Sequence, residues 1–258
     1  MRIKAVVNRS DDRQETYIRF LEKSFPEMFT EEDPEMFYVI GGDGAMLHAH
    51  KNHGDTKLPF FGKGLGTLNF IMNNFGNDFR IVEGLLNDTI KATVINTPKV
   101  EVHVKHQTGA VSVYQAINDV IIGSDISDWN SFEMTSKNGS FDKFQFSGTG
   151  ICISTPLGSS AFNMNNGGKL IPIDANLWSI TSVVSNKRID ELMKPQKVKI
   201  KIESLRCSPT LFIDGVPMNG LEKGDEVVLK KCVDKFNIAF LDPKDFFAKR
   251  MKLQQERR

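Results

Sequence analysis

The chain has 258 residues, enough for one large domain or two small ones with a substantial core. Its 33 Lys+Arg against 32 Asp+Glu leave a formal net charge of +1, so no global field recruits nucleic acid or an anionic membrane. Cys152, Cys207 and Cys232 are too few and too scattered for a disulfide framework or a zinc site, and they point to a reducing compartment. No apolar run approaches the ~20 residues needed to span a bilayer. Met1-Arg2-Ile3-Lys4-Ala5-Val6-Val7 enters a strand pattern with no signal-peptide character, so a soluble, cytoplasmic protein without a membrane partner is expected. The basic Lys249-Arg250-Met251-Lys252 and Arg257-Arg258 read as a solvated tail.

Residues 3–8 form the first expected strand. Asp11 or Asp12 caps a helix over 14–25, with Tyr17, Ile18, Leu21 and Phe25 on one face. After an acidic loop, Met36-Phe37-Tyr38-Val39-Ile40 reads as a buried strand that breaks into Gly41-Gly42-Asp43-Gly44, and Ala45-Met46-Leu47-His48 has the composition of a helix start. Strand, glycine turn and helix together aim bare backbone N–H groups and a positive helix end at a phosphate. Asp43 is the odd member, since a carboxylate repels such an anion. It holds a metal, takes a proton from an attacking hydroxyl, or simply caps the helix, and the residues alone leave these open. Leu58-Pro59-Phe60-Phe61 is a third apolar run, followed by a second glycine cluster, Gly62-Lys63-Gly64-Leu65-Gly66-Thr67. A helix over 79–86 completes a parallel α/β unit, at whose strand ends both clusters sit.

From Pro98 the texture changes to period-2 alternation, as in Val100-Glu101-Val102-His103-Val104-Lys105-His106. Strands are expected at 111–114, 116–122, 150–154, 198–203, 210–214, 226–230 and 236–240, mostly antiparallel. Lys137-Asn138-Gly139-Ser140 suits a type I′ hairpin turn. In Ser154-Thr155-Pro156-Leu157-Gly158-Ser159-Ser160-Ala161-Phe162-Asn163, closed by Gly167-Gly168, hydroxyls and free N–H groups can grip a nucleotide's polar edge, and Phe162 offers a ring face. The same stretch also reads as a serine-capped helix. His48, His50 and His53 lack a completing ligand for zinc. His103 and His106 read as exposed strand residues, Asp125 and Asp128 as loop acids beside Trp129, and Phe246-Phe247 as a contact docking the tail on the first domain.

Four motifs in order and spacing, namely Gly41-Gly42-Asp43-Gly44, Gly66-Thr67-Leu68-Asn69-Phe70, Asn118-Asp119 and the Thr155-Pro156 to Gly167-Gly168 stretch, resemble those of the NAD kinase family, as does the later Ile213-Asp214-Gly215. The resemblance implies an α/β nucleotide-binding domain over 1–97 (Rossmann-like, of the glycine-Asp-glycine kinase type). A β-sandwich NAD-binding domain over 98–240 would follow, then a tail over 241–258 packing back on the first domain. It further implies phosphoryl transfer from ATP, or polyphosphate, to the adenosine ribose 2′-hydroxyl of NAD. Mg²⁺ or another divalent metal would assist, with no tightly bound organic cofactor, in a homodimer or homotetramer with the active site between the domains. By matching position Asp43 is the base, Gly41 and Gly42 face phosphate, and no residue is assigned as a metal ligand. Gly44, Phe70, Asn118, Asp119, Thr149, Ser160, Ala161, Phe162, Asn163, Asn165 and Val184 face substrate, Val184 toward the neighbouring subunit's ligand.

This chain departs from the family pattern at several points. Thr149 stands where an aspartate is usual, Leu157 where a small polar residue is common, Phe162 for a tyrosine, and Asp119 for a glutamate. Gly64 replaces an asparagine or threonine, and Asn69 replaces a glycine. Two other functions are compatible with parts of the pattern. One is a lipid or sugar kinase sharing the glycine-Asp-glycine turn; the other is a non-catalytic dinucleotide-binding regulator.

Overall fold

β1 (Ile3–Val6) lies parallel to β2 (Met36–Gly41), and α1 (Asp12–Ser24) connects them. Asp11 caps α1 by accepting the N–H groups of Arg13 and Gln14, and Tyr17, Ile18 and Leu21 form its buried face. All of β2 is buried, because β3 (Phe60–Gly64) runs parallel along its other edge after α2 (Asp43–His53). α3 (Phe79–Leu86) follows, and Val82, Leu85 and Leu86 close the core over Ile18, Leu21, Tyr38 and Phe61.

The second half of the chain is antiparallel in its assigned pairings, except where the end of its last long strand pairs with β3. Its strands are β4 (Thr93–Lys105), β5 (Val111–Ala116), β6 (Asp119–Gly123), β7 (Asn130–Ser136) and β8 (Phe144–Ser154). After the short α4 (Phe162–Asn165) come β9 (Trp178–Ser185), β10 (Asp190–Met193), β11 (Val198–Ser204), β12 (Thr210–Ile213), β13 (Val216–Gly220) and β14 (Glu226–Phe240), then α5 (Pro243–Glu256). The hydrogen-bonded order is β14-β11-β7-β8-β6-β12-β13, with β9 and β10 continuing from β8, and β4 paired with β5. Trp178, Phe132, Ile151, Ile153, Ile200 and Val227 are among its fully buried residues.

This computed structural model describes residues 1–66, 69–125, 127–136, 143–204 and 207–256 and divides into two units, Met1–Asn96 with Phe236–Arg258, and Thr97–Lys235. The expected hairpin turn at 137–140, Thr67 and Leu68 of the second motif, and Arg257-Arg258 lie outside the described residues. Among those described, no helix is long and apolar enough to cross a membrane.

Several boundaries differ from the sequence pattern. The segments 226–230 and 236–240 are one strand: the polar Lys231-Cys232-Val233-Asp234-Lys235 interrupts the hydrophobic pattern but not the backbone. Its end belongs to the first unit, where Ile238 and Ala239 pair in parallel with Phe60 and Phe61. The expected strand 116–122 is broken at Ile117-Asn118, whose N–H groups bond a side chain instead of a ladder partner. β9 escapes period-2 reading because Trp178, Ser179, Ile180 and Thr181 are all buried, polar members included. The Asp214-Gly215 dipeptide makes the hairpin between β12 and β13. Both residues have positive φ (50° and 78°), as a type I′ turn requires.

Asn73 fastens the returning strand end to the first sheet. Its Nδ2 donates to the carbonyls of Gly62 (3.1 Å) and Ala239 (3.0 Å), and its Oδ1 accepts from Leu241 N (2.9 Å). Asn73→Ala should leave these buried backbone groups unpaired and cost about 2–4 kcal/mol of unfolding free energy. The measurement is a urea titration, with a lower midpoint and an unchanged m-value expected.

Candidate functional site

In the first unit the site is built on the break between β2 and α2. Gly41 sits at φ 144°, and a Cβ there would lie 2.8 Å from Ala45 Cβ, so only glycine fits. Gly44 has nothing within 4 Å of the position a Cβ would take, which leaves the backbone of the first helical turn open. The helix cap is Gly42, without a side-chain bond, and not Asp43. The Asp43 carboxylate accepts instead from the backbone N–H groups of Phe70 (3.0 and 2.9 Å to its two oxygens) and Ile71 (3.1 Å). Two such donors favour the ionised form and fix the orientation of the carboxylate. A carboxylate so held, beside exposed N–H groups at a helix start, can take a proton from a hydroxyl while an anion rests on the turn.

The loop that supplies these donors explains two departures from the family pattern at once. A Cβ at Gly64 would lie 2.6 Å from Asn69 Nδ2 and 2.5 Å from Asn74 Oδ1. The side chain gained at position 69 therefore occupies the space given up at position 64. Asn69 donates to Gly66 O (2.7 Å) and Asn74 Oδ1 (2.9 Å) and is buried.

Arg250 corrects the reading of a solvated basic tail. It is 3% exposed, its guanidinium lies 5.2 Å from the centroid of the Phe246 ring, and Phe246 in turn packs 4.6 Å from Phe240. Burial lowers its pKa to about 10, against the opposing pull of the Asp43 charge. The sequence signal was an arginine three residues after the Phe246-Phe247 pair, one helical turn along α5.

The three histidines of α2 are occupied within the first unit. His48 bonds Asn52 (3.0 Å), His50 meets the Phe236 ring edge-on, and His53 stacks on Phe37. In the second unit His103 and His106 are half-buried, not exposed; each is paired with an acid, Glu101 and Asp225 respectively.

The second unit gathers Asn118, Asp119 and Asp214. The Asp214 carboxylate accepts from the N–H groups of Ile117 (3.0 Å), Asn118 (2.7 Å) and Asp119 (3.1 Å), while Asp214 N donates to Asp119 O (3.0 Å). Burial raises Asp214 to about 6, against the effect of these three donors. Asp119 is raised to about 7, first by burial and then by the Asp214 charge. Thr155 Oγ1 donates to Ile117 O, and a Cβ at Gly158 would lie 2.2 Å from Asn118 O, so the Thr155–Gly158 turn lies directly on the Asn118 backbone. Ser160 is buried beside this turn. Asn163 is fully buried, its Nδ2 donating to Ser159 O and Lys169 O. The Oδ1 atoms of Asn118 and Asn163 are buried without a hydrogen-bond partner among the described residues. A buried amide oxygen left so is a place for a donor.

Thr149, Phe162, Asp125 and Asp128 line a separate cavity of about 420 Å³. Thr149 is 2% exposed and its hydroxyl donates to Val183 O (3.1 Å), whereas Phe162 is exposed. Leu157 is in the core. Ala161 is half-buried and Asn165 exposed at the two ends of α4. Val184, half exposed, sits at φ 29°, a strained conformation for a β-branched residue.

A family model of the ATP-NAD kinase C-terminal domain matches residues 92–241. Among relatives, the NAD kinase of Rickettsia canadensis is 31% identical over 152 residues, covering 59% of this chain and 57% of that protein. The NAD kinase of Treponema denticola is 28% identical over 226 residues, 84% of this chain and 77% of that protein. The match thus spans little more than half the length of the Rickettsia relative. Among solved structures, yeast NADH kinase complexed with NADH superposes with a TM-score of 0.83 at 18% identity, covering 99% of this chain and 88% of that one. An NAD kinase from Archaeoglobus fulgidus in complex with ATP gives 0.69 at 13% identity, covering 97% and 99%. At these identities the likeness is one of fold.

The buried acids make a pH prediction. A folded pKa raised above the unfolded value means that the folded state holds more protons, so the contribution of Asp119 to stability falls as pH rises from about 4 to about 7. Asp119→Asn should therefore gain stability relative to wild type between pH 4.5 and pH 8, as read by urea midpoints at both.

Proposed function

The chain belongs to the ATP-NAD kinase family, and on that premise we propose that it transfers the γ-phosphoryl group of ATP to the adenosine ribose 2′-hydroxyl of NAD, releasing ADP and NADP. The observation that carries this reading is the Asp43 carboxylate, held by two backbone N–H groups at the open glycine turn. Asp43 accepts the hydroxyl proton as the oxygen bonds to phosphorus and the bond from phosphorus to the ADP oxygen breaks. Gly41 and Gly42 accommodate phosphate, Gly44 leaves the approach open, and Phe70 contributes its N–H to the base. Arg250 supplies a buried positive charge that offsets the charge gathered on the transferring group.

Asp119 accepts from ribose hydroxyls when ionised, and the unpartnered Oδ1 atoms of Asn118 and Asn163 accept from a donor on the dinucleotide. Ser160, Ala161, Phe162 and Asn165 flank its base and ribose; Thr149 shapes the cavity beside Phe162 rather than giving its hydroxyl to the ligand. The strained, half-exposed Val184 suits a role toward a second subunit, in a homodimer or homotetramer. As the only carboxylate of the glycine turn, Asp43 already accepts two N–H groups, so Mg²⁺ fits best as a companion of the ATP phosphates. Bound there, it would neutralise phosphate charge. In finer terms the first unit is a Rossmann-like kinase domain of the glycine-Asp-glycine type and the second a β-sandwich, in a cytoplasmic enzyme.

Purified protein given NAD, ATP and Mg²⁺ should form NADP, read with an NADP-specific dehydrogenase. Asp43→Asn should lose at least ~10²-fold in kcat. NAD binding without turnover, with ATP or polyphosphate, would replace this reading with that of a regulator. Because the ionised Asp119 carboxylate accepts from a hydroxyl more strongly than the protonated acid does, KM for NAD should fall as pH rises from 6 to 8, and Asp119→Asn should flatten that dependence.

A further inference from the structure

Lys63 interrupts the apolar run of β3 and is 1% exposed. Its Nζ donates to the carbonyls of Gly64 (3.4 Å) and Gly76, and lies 4.5 Å from the centroid of the Phe75 ring and 5.5 Å from that of Tyr17. Its partners among the described residues are thus two carbonyl oxygens and two ring faces, none of them anionic. Burying an ammonium without a counter-ion is costly, and an apolar side chain of equal length would fill the same space between Tyr17 and Phe75 at lower cost. Packing alone does not account for a lysine here.

The two carbonyls that Lys63 ties together mark the ends of the loop that carries the Asp43 donors. Gly64 opens it, Gly76 closes it, and Phe70 and Ile71 lie between. Among the described residues the loop's backbone bonds to the strand, Gly64 N to Asn73 O and Asn73 N to Gly62 O, reach residue 73, and Asn69 Nδ2 reaches Asn74 Oδ1; Lys63 carries the fastening on to Gly76. We propose that Lys63 is a positioning residue for Asp43: its ammonium draws the departing end of the loop back to the strand, so that the Phe70 and Ile71 N–H groups stay aimed at the carboxylate. The chemical consequence rests on the reading of Asp43 as the base, while the clamp itself does not.

The test uses full-length protein and two readouts. Amide hydrogen exchange is followed at Phe70 and Ile71 without substrate, and kcat is followed against pH during NADP formation. Lys63→Met should keep its melting temperature within a few degrees while these two amides exchange at least about tenfold faster. It should also lower kcat about tenfold with KM for NAD within about twofold, and move the acid limb of the kcat profile to higher pH as the base loses its donors. Lys63→Arg, which keeps the charge and donors, should protect both amides better than methionine does. Unchanged exchange in folded Lys63→Met overturns the proposal, as does unchanged kcat and acid limb in an active enzyme. Should the methionine variant not fold, Lys63→Gln is read the same way. If wild type forms no NADP, the functional reading falls, and the exchange result alone decides for or against the clamp.

Discussion

Two backbone hydrogen bonds from Phe70 and Ile71 to the Asp43 carboxylate are the constraint on which the first unit depends. Asp43 sits where the helix start favours negative charge, yet it does not cap that helix. Its lone pairs are turned instead toward a loop 27 residues away in sequence. The chain must therefore hold that loop firmly, and it does so from several sides. Asn73 ties it to Gly62, Ala239 and Leu241, Asn69 fills the space beside Gly64, and Lys63 reaches Gly76. The loop departs most from the family pattern at Gly64 and Asn69, where the two changes offset each other sterically. Together they describe a repacked support beneath the Asp43 carboxylate.

The second unit solves a comparable problem with another aspartate. Asp214 replaces the missing ladder partners of Ile117, Asn118 and Asp119 by accepting all three N–H groups. Its positive φ, shared with Gly215, makes the hairpin that brings the carboxylate to them. The arrangement places two carboxyls in one buried environment, and their raised pKa values follow from burial. The raised pKa values of these two acids are thus a by-product of how the Asn118-Asp119 segment is supported.

Much of this was legible in the chain. The strand–glycine–helix pattern at residues 36–46 and the face of Tyr17, Ile18 and Leu21 follow from local periodicity, and the change of texture near Pro98 marks where the second unit begins. What local patterns do not carry is long-range pairing. Nothing near Asp43 announces Phe70, and nothing near Asn118 announces Asp214, because backbone donors leave no side-chain signature. Arg250 looks like one more solvated charge until α5 packs through Phe246, and Lys63 looks like a surface residue inside an apolar run. β9 was hidden for the opposite reason, since buried serine and threonine erase the alternation that marks a strand. Asp214-Gly215 obeys the positive-φ turn rule, yet the expected strand over 210–214 runs on into it, whereas β12 ends at Ile213.

The central claim is that Asp43 acts on the reacting hydroxyl and does not hold the dinucleotide. Isothermal titration of NAD into Asp43→Asn tests it most directly, since asparagine keeps an oxygen to accept the Phe70 and Ile71 N–H groups but is a far weaker base. The account predicts a Kd within about threefold of wild type, a difference below ~1 kcal/mol. Loss of binding by more than about tenfold in a folded variant would contradict it, making Asp43 a ligand-holding group and leaving the base unassigned.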